Sequence, residues 1–280
     1  MFAPNNVPHF HHRSTEFMNT YENCVKLFKS KFSIPQESIV LFVTGSATTA
    51  LESVLFSINK DVEVVTTGGF SSRLLKSAIV YGKYSLQDQD SATMSVNYET
   101  GKSEVYVGDL ATLADCTSSF PYYTPQEDVW VTTTSKQLGS VTGLSVIVIR
   151  NQEVMDQLFY GECQSYLSVA RYYEFSKKNQ TPNTPNIDAF VDLEQRLRQF
   201  DLDAFRAKVD SRRTMVVDML NSKGVAVIGE GPVVTVAQRL GVLEDEFGMY
   251  KNTLGQPQLF LWSGTDAQYE QFIKRGSELL

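Results

Sequence analysis

Lys136 sits in Thr132-Thr133-Thr134-Ser135-Lys136-Gln137-Leu138-Gly139, a loop of small and polar residues between two apolar runs, Val129-Trp130-Val131 and residues 144–149. Beside a cationic group a lysine amine can lose its proton, and it then attacks carbonyls and carries protons. Taken singly, it also reads as a solvated surface lysine. Two further groups precede it. Gly45-Ser46-Ala47-Thr48 follows the apolar run at residues 38–44 and leads into a helical pattern. Such a turn offers free N–H groups at the positive end of a helix dipole, with Ser46 and Thr48 adding hydroxyls, and this suits a phosphate. The same turn is compatible with an ordinary capped helix start, and no Gly-Lys-Ser/Thr follows to make it a nucleotide P-loop. Asp115 ends the run Leu110-Ala111-Thr112-Leu113-Ala114. A carboxylate at the carboxyl end of such a strand lies where open α/β sheets bind ligands, although it could equally cap a turn.

Together, a phosphate cup, an acid able to keep a pyridinium nitrogen protonated and a lysine make up the set that pyridoxal 5′-phosphate (PLP) chemistry requires. Other chemistries have less to work with. The three histidines, His9, His11 and His12, all lie at the N-terminus, so a Ser-His-Asp triad or a histidine metal site in the body of the chain is excluded. Cys24, Cys116 and Cys163 are far apart and form no CxxC pair, which argues against a disulfide framework and a zinc site and fits a reducing compartment. No metal is expected. The net charge of −7 and the absence of a Lys/Arg run give no footprint for nucleic acid. No secretory segment and no membrane-length apolar run is read, so the expectation is a cytoplasmic protein.

The elements that must position these groups follow from periodicity. Residues 14–31 have helical spacing, with Ser14 or Thr15 as cap. Strands are expected at 38–44, 62–66, 129–133 and 144–149, and helices at 49–58 and 71–81. The stretch from Tyr84 to Asp115 reads as strand-rich. Two helical segments, 152–175 and 187–220, each look broken, with Thr181-Pro182-Asn183-Thr184-Pro185-Asn186 as a stiff connector between them. The tail reads as α+β, with strands near 225–228, 233–237 and 259–262 and a helix at 266–279. The fold class is therefore α/β with a mainly parallel sheet in a large domain and a smaller C-terminal α+β domain. The expected division is an arm at 1–13, a PLP-binding domain at 14–186 and a small domain at 187–280.

The sequence resembles class V aminotransferases of PLP fold type I, the group that includes phosphoserine, alanine–glyoxylate and 2-aminoethylphosphonate aminotransferases. Seven stretches carry the likeness, in order along nearly the whole chain. His12-Arg13-Ser14-Thr15-Glu16-Phe17 is similar to the family's opening His-Arg-Ser-x-Glu-Phe, and Gly45-Ser46-Ala47-Thr48-Thr49-Ala50-Leu51-Glu52 to its phosphate loop. Gly69-Phe70-Ser71-Ser72-Arg73, Glu99-Thr100-Gly101 and Asp115-Cys116-Thr117-Ser118-Ser119 resemble its central motifs. Ser135-Lys136-Gln137-Leu138-Gly139 resembles the lysine loop, and Thr181–Asn186 is close to phosphoserine-type members.

The resemblance implies roles. Lys136 would hold PLP as a Schiff base and shuttle protons, with Asp115 on the ring nitrogen. Phe70 would stack on the ring, and Thr100 would donate to its 3-oxygen. Ser46, the Ala47 N–H, Thr48 and Ser135 would hold the phosphate, with Thr117 also beside the cofactor. Thr184 would reach the neighbouring active site, implying a homodimer. His12 and Arg13 would lie near the distal anionic group of the substrate, or else anchor the arm. The implied activity is amino transfer between a small amino acid or amine and an oxo-acid. The alternatives are a PLP-dependent lyase or decarboxylase acting on an unusual amine, and a non-catalytic PLP-fold binding protein.

Two departures stand out. The interval from Thr100 to Asp115 is too short for the family's usual helix and strand, so one layer of the large domain is expected to be trimmed. Family members clamp the substrate carboxylate with a C-terminal arginine, yet Gln258-Leu259-Phe260-Leu261-Trp262-Ser263-Gly264 contains none. Arg239 and Arg13 are the candidate replacements.

Overall fold

The computed structural model describes residues 11–85, 91–96, 112–159, 161 and 164–280. In chain order they form α1 (Thr15–Lys31), β1 (Ile39–Thr44), α2 (Ala47–Ser57), β2 (Val62–Val64), α3 (Gly69–Val80), β3 (Ala92–Val96), β4 (Leu113–Asp115), β5 (Val129–Thr133) and β6 (Leu144–Ile149). Then come α4 (Gln152–Leu158), α5 (Val169–Ser176), α6 (Ile187–Gln199), α7 (Leu202–Ser222), β7 (Val227–Ile228) and β8 (Val233–Val236). The chain ends with α8 (Val242–Glu246), β9 (Tyr250–Lys251), β10 (Pro257–Phe260) and α9 (Asp266–Leu279). The elements fall into two compact units, Met1–Lys60 with Asp128–Phe200, and Asp61–Glu127 with Asp201–Leu280. Among the described residues no helix is long and apolar enough to cross a membrane.

In the first unit β6 lies between β1 and β5 and runs antiparallel to both, in register from Ile39 opposite Ile149 to Thr44 opposite Leu144 and from Val129 opposite Ile149 to Thr133 opposite Ser145. All six residues of β6 are buried, as expected of a continuous apolar strand covered on both faces. α2 packs against β5 and β6, and α5 against β1. α1 buries Phe17, Tyr21, Cys24 and Phe28 on one face, while the Ser14 hydroxyl accepts the Phe17 N–H. Opposite lies α6, whose Phe190 ring meets Phe17 edge-on and stacks on Tyr21. Burial of each such side chain stabilises by about 1.5–3 kcal/mol, against about 1 kcal/mol for a cap, so packing against α6 chiefly holds α1 in place.

In the second unit β2, β3 and β4 are mutually parallel, with Val64 opposite Met94 and Val96 opposite Asp115. A separate antiparallel sheet has the order β7-β8-β10-β9. Its core joins Val234, Val236 and Leu261 to Val216 and Leu220 of α7 and Phe272 of α9. Arg212 of α7 is almost fully buried. Its guanidinium donates to the carbonyls of Leu261, Ser263 and Gly264 and to the Asp266 carboxylate at 2.7–3.1 Å.

The mainly parallel α/β class and the α+β tail agree with expectation. Boundaries differ in places. α2 begins at Ala47, so Ala47 and Thr48 belong to its first turn and not to a preceding loop. The final strand is Pro257–Phe260, earlier than the 259–262 read from the sequence, because its pairing with Thr235, Val234 and Val233 sets the register. α8 and β9 had no counterpart in the sequence reading. The residues expected to mark a trimmed layer, 102–108, lie outside the described residues.

Candidate functional site

The first unit carries the cup and the lysine. β1 delivers the chain to Gly45, whose φ of +134° is a conformation that side chains rarely adopt; a Cβ there would lie 2.6 Å from Thr49 Oγ1. Only glycine fits. Ser46 follows as the N-cap of α2 in extended conformation, yet its exposed hydroxyl makes no capping bond. Its carbonyl accepts the N–H groups of Thr49 (2.9 Å) and Ala50 (3.3 Å). The N–H groups of Ala47 and Thr48 thus precede the first helical bond. No acidic residue occupies the first turn, so the positive end of the helix dipole is not offset locally by a side chain of that turn.

The loop from Thr133 to Gly143 is tied down by its own polar atoms. The hydroxyls of Thr133 and Thr134 donate to the Leu144 carbonyl at 3.2 and 3.1 Å. Thr133 Oγ1 and Ser135 Oγ are 3.1 Å apart, and the Lys136 carbonyl accepts the Gly139 N–H at 3.0 Å. Lys136 is half-buried. At the far end of the loop Gly143 presents its carbonyl to the Gly45 N–H at 2.9 Å, joining the lysine loop to the cup.

Asp192 of α6 braces this loop, a role missed in the sequence reading. Its carboxylate accepts the Ser140 hydroxyl (2.7 Å) and the Val141 N–H (2.9 Å) and pairs with Arg196 at 2.9 Å. Burial works against the charge, but the hydrogen bonds from Ser140, Arg196 and Val141 prevail and hold its pKa below the usual value. The only sequence signal was an Asp and an Arg four residues apart on a helix.

The other predicted residues of this unit are placed as follows. The Arg13 guanidinium donates to Gln180 Oε1 and lies 4.7 Å from the centroid of the Phe175 ring, an anchoring arrangement. Its N–H donates to His11 Nδ1. Burial, then the neighbouring charge of Arg13 and the proximity of His11, lowers the pKa of His12. In the connector, Thr181 and Pro185 are buried while Thr184 is exposed.

The second unit carries Asp115 and Phe70. Asp115, 5% exposed, ends β4. Its Oδ1 accepts both the N–H (2.9 Å) and the hydroxyl of Thr117, which orient the carboxylate. Phe70 lies in the first turn of α3 and is 41% exposed, with the Arg73 guanidinium 5.5 Å from its ring centroid. Arg239 is bound through Nε to both carboxylate oxygens of Glu244 at 2.8 Å. The buried Glu244 also receives Lys251 at 3.1 Å and the Leu240 N–H at 2.6 Å. Thr100 lies outside the described residues.

The fold is shared with solved aminotransferases over almost the whole chain. An aspartate aminotransferase of subgroup IV from Thermus thermophilus superposes with a TM-score of 0.83 at 18% identity, covering 98% of this chain and 94% of that one. A phosphoserine aminotransferase from Cytophaga hutchinsonii gives 0.79 at 19%, covering 96% and 91%. An alanine–glyoxylate aminotransferase from Nostoc sp. gives 0.80 at 16%, covering 98% and 90%. No family model matches the sequence, and no curated protein matches it. The chain therefore has the fold of the class V-type aminotransferases, PLP fold type I.

Proposed function

We propose that the protein is a PLP-dependent aminotransferase that moves an amino group between a small amino acid or amine and an oxo-acid. The observation that carries this reading is the bond from Gly45 to Gly143, which ties an anion-ready helix start to the loop bearing Lys136. The donor set fits the cofactor. Gly45 leaves a cradle that a Cβ would fill, and Ser46, with the N–H groups of Ala47 and Thr48, supplies donors suited to a phosphate. A phosphoserine aminotransferase from Trichomonas vaginalis with PLP bound shares the fold at a TM-score of 0.76 and 13% identity.

When bound, PLP supplies an electron-withdrawing ring that acidifies the substrate Cα–H. The chain does the rest. Ser46, Ala47, Thr48 and Ser135 hold the phosphate. Asp115, fixed by Thr117, holds a proton on the ring nitrogen, and Phe70 covers one face of the ring. Thr100 is assigned to the ring's 3-oxygen on resemblance alone. Lys136 Nζ is the attachment point and then carries the proton from the substrate carbon. His12 and Arg13 remain candidates for the substrate's distal end. Arg239, already paired with Glu244, is a weaker one.

The reading keeps an arm (1–13), a cofactor-binding part (14–186) and a C-terminal part (187–280). It also includes a homodimer in which the exposed Thr184 reaches the neighbouring subunit, and work in the cytoplasm, where buried, unbridged Cys24 and Cys116 fit a reducing environment.

The test is reconstitution of the purified protein with PLP. A visible absorbance band should form, and borohydride should fix the cofactor on the peptide containing Lys136. A screen of amino donors should convert the cofactor to its amine form. A protein that takes up no PLP, or fixes it elsewhere, overturns the proposal.

A further inference from the structure

The loop that carries Lys136 closes on itself before it runs on to β6. The Ser140 N–H donates to the Thr134 carbonyl at 2.9 Å, and within that turn the Gly139 N–H donates to the Lys136 carbonyl at 3.0 Å. Gln137 and Leu138 are buried, whereas Gly139 and Val141 are exposed. Gly139 has a φ of +64°, which lets the turn close without a strained side chain. Lys136 thus lies inside a short closed turn whose last residue is Ser140, and a shift of Ser140 carries the lysine with it.

One oxygen of Asp192 holds that last residue from outside. Its Oδ2 accepts the Ser140 hydroxyl at 2.7 Å, the Val141 N–H at 2.9 Å and Arg196 Nε at 2.9 Å. Hydrogen bonds to a charged acceptor are shorter and stronger than neutral ones. The pair with Arg196 is partly exposed, and such pairs on one helix contribute little. Ser140 is 6% exposed, so its hydroxyl would be costly to leave unpaired. The two bonds to the loop are therefore the larger effect, and Arg196 chiefly aims the carboxylate.

The helix that bears Asp192 is a firm base. Phe190, two residues earlier, packs its ring against those of Phe17, Tyr21 and Phe42, and Leu193 is fully buried. The N-cap of α6 also touches the far end of the loop, where a Cβ on Gly143 would lie 3.6 Å from Asn186 Nδ2. A lysine side chain is a flexible four-carbon stem. The aim of its amine therefore depends on how firmly the backbone beneath it is held.

We infer that Asp192 is a positioning residue: through Ser140 and Val141 it fixes the backbone that aims the Lys136 amine. That role rests on the aminotransferase reading, in which PLP is attached to Lys136.

The experiment compares the wild type with Asp192→Ala, Ser140→Ala and the double variant. PLP is added to each, and the growth of the visible band and its circular dichroism are followed. In the cofactor-free proteins, acetylation of Lys136 is timed by peptide mass spectrometry. Urea unfolding identifies the folded variants, and Ser140→Ala, which deletes one hydroxyl, carries the test if Asp192→Ala does not fold. Attachment of PLP should slow roughly tenfold in Asp192→Ala, below the hundredfold that a 1 Å misplacement costs. The dichroism of the band should change with it. The double variant should be no slower than Asp192→Ala, because both changes break the same bond. Unchanged attachment and dichroism in folded variants overturn the inference, and additive losses overturn the route through Ser140. Borohydride trapping in the wild type separates the two claims. Cofactor fixed on Lys136 with indifferent variants defeats only the role of Asp192. Altered acetylation of Lys136 in the variants, with no cofactor fixed in the wild type, defeats only the aminotransferase reading, and unaltered acetylation in that case defeats both.

Discussion

The N–H of Gly45 donates to the carbonyl of Gly143 at 2.9 Å, so the turn that opens α2 and the end of the loop bearing Lys136 are held together by the backbone itself. A change at Gly45 strikes this link directly.

Gly45→Ala forces an L-residue to φ +134° and drives its Cβ to within 2.6 Å of Thr49 Oγ1. The expected cost is about 1–3 kcal/mol of stability. PLP affinity should fall by roughly tenfold or more, since 1.4 kcal/mol lost at the cup is a factor of ten. Urea unfolding and PLP titration read the two effects. Unchanged values for both would show that the turn is not a constrained cradle.

Asp115→Asn keeps the shape of the side chain and removes its charge. Thr117 would still orient the group, but a proton on the ring nitrogen would lose its counter-charge. Turnover should fall by roughly a hundredfold or more, the scale of losing one pre-organised electrostatic partner, while borohydride still fixes PLP on Lys136. Full activity in this variant would remove Asp115 from the chemistry.

Glu244 gives a pH prediction. Hydrogen bonds from Arg239, with further help from Leu240 and Lys251 and against the cost of burial, pull its pKa from 4.5 to about 2. In the unfolded chain the group takes up its proton at higher pH than in the folded one, so the stabilisation is complete above about 4.5 and is lost as pH falls toward 2. Glu244→Gln should therefore melt lower than the wild type at pH 7, with the gap closing through that window. A gap that is constant down to pH 2 would contradict the assignment.

Arg212→Met removes the donors to Leu261, Ser263, Gly264 and Asp266 from a buried position. Leaving those carbonyls unpaired should cost about 3–5 kcal/mol, measurable as a lower urea midpoint. A midpoint within error of the wild type would mean that methionine packing compensates.

Much of this was legible in the residues. The break between the two apolar strands located Lys136, the cap at Ser14 bounded α1 because a local hydrogen bond sets that end, and periodicity alone gave α9 at 266–279. What escaped depended on partners distant in sequence. Asp192 became a brace only once α6 lay beside the lysine loop; Arg239 and Glu244, by contrast, are near in sequence, and their pairing escaped because composition cannot reveal that the carboxylate is buried. α8 and β9, of five and two residues, are too short for any periodicity to register. Ala47 and Thr48 read as loop because they continue the small-residue turn begun by Gly45 and Ser46, whereas Ser46 is already the N-cap position of the helix.

The Ser46 hydroxyl makes no capping bond at the start of α2. A ligand phosphate held at this helix start adds its binding energy to the folded state alone, about 2.7 kcal/mol when present at a hundred times its dissociation constant. Under the proposed function, resistance to unfolding would thus rise with the concentration of the cofactor.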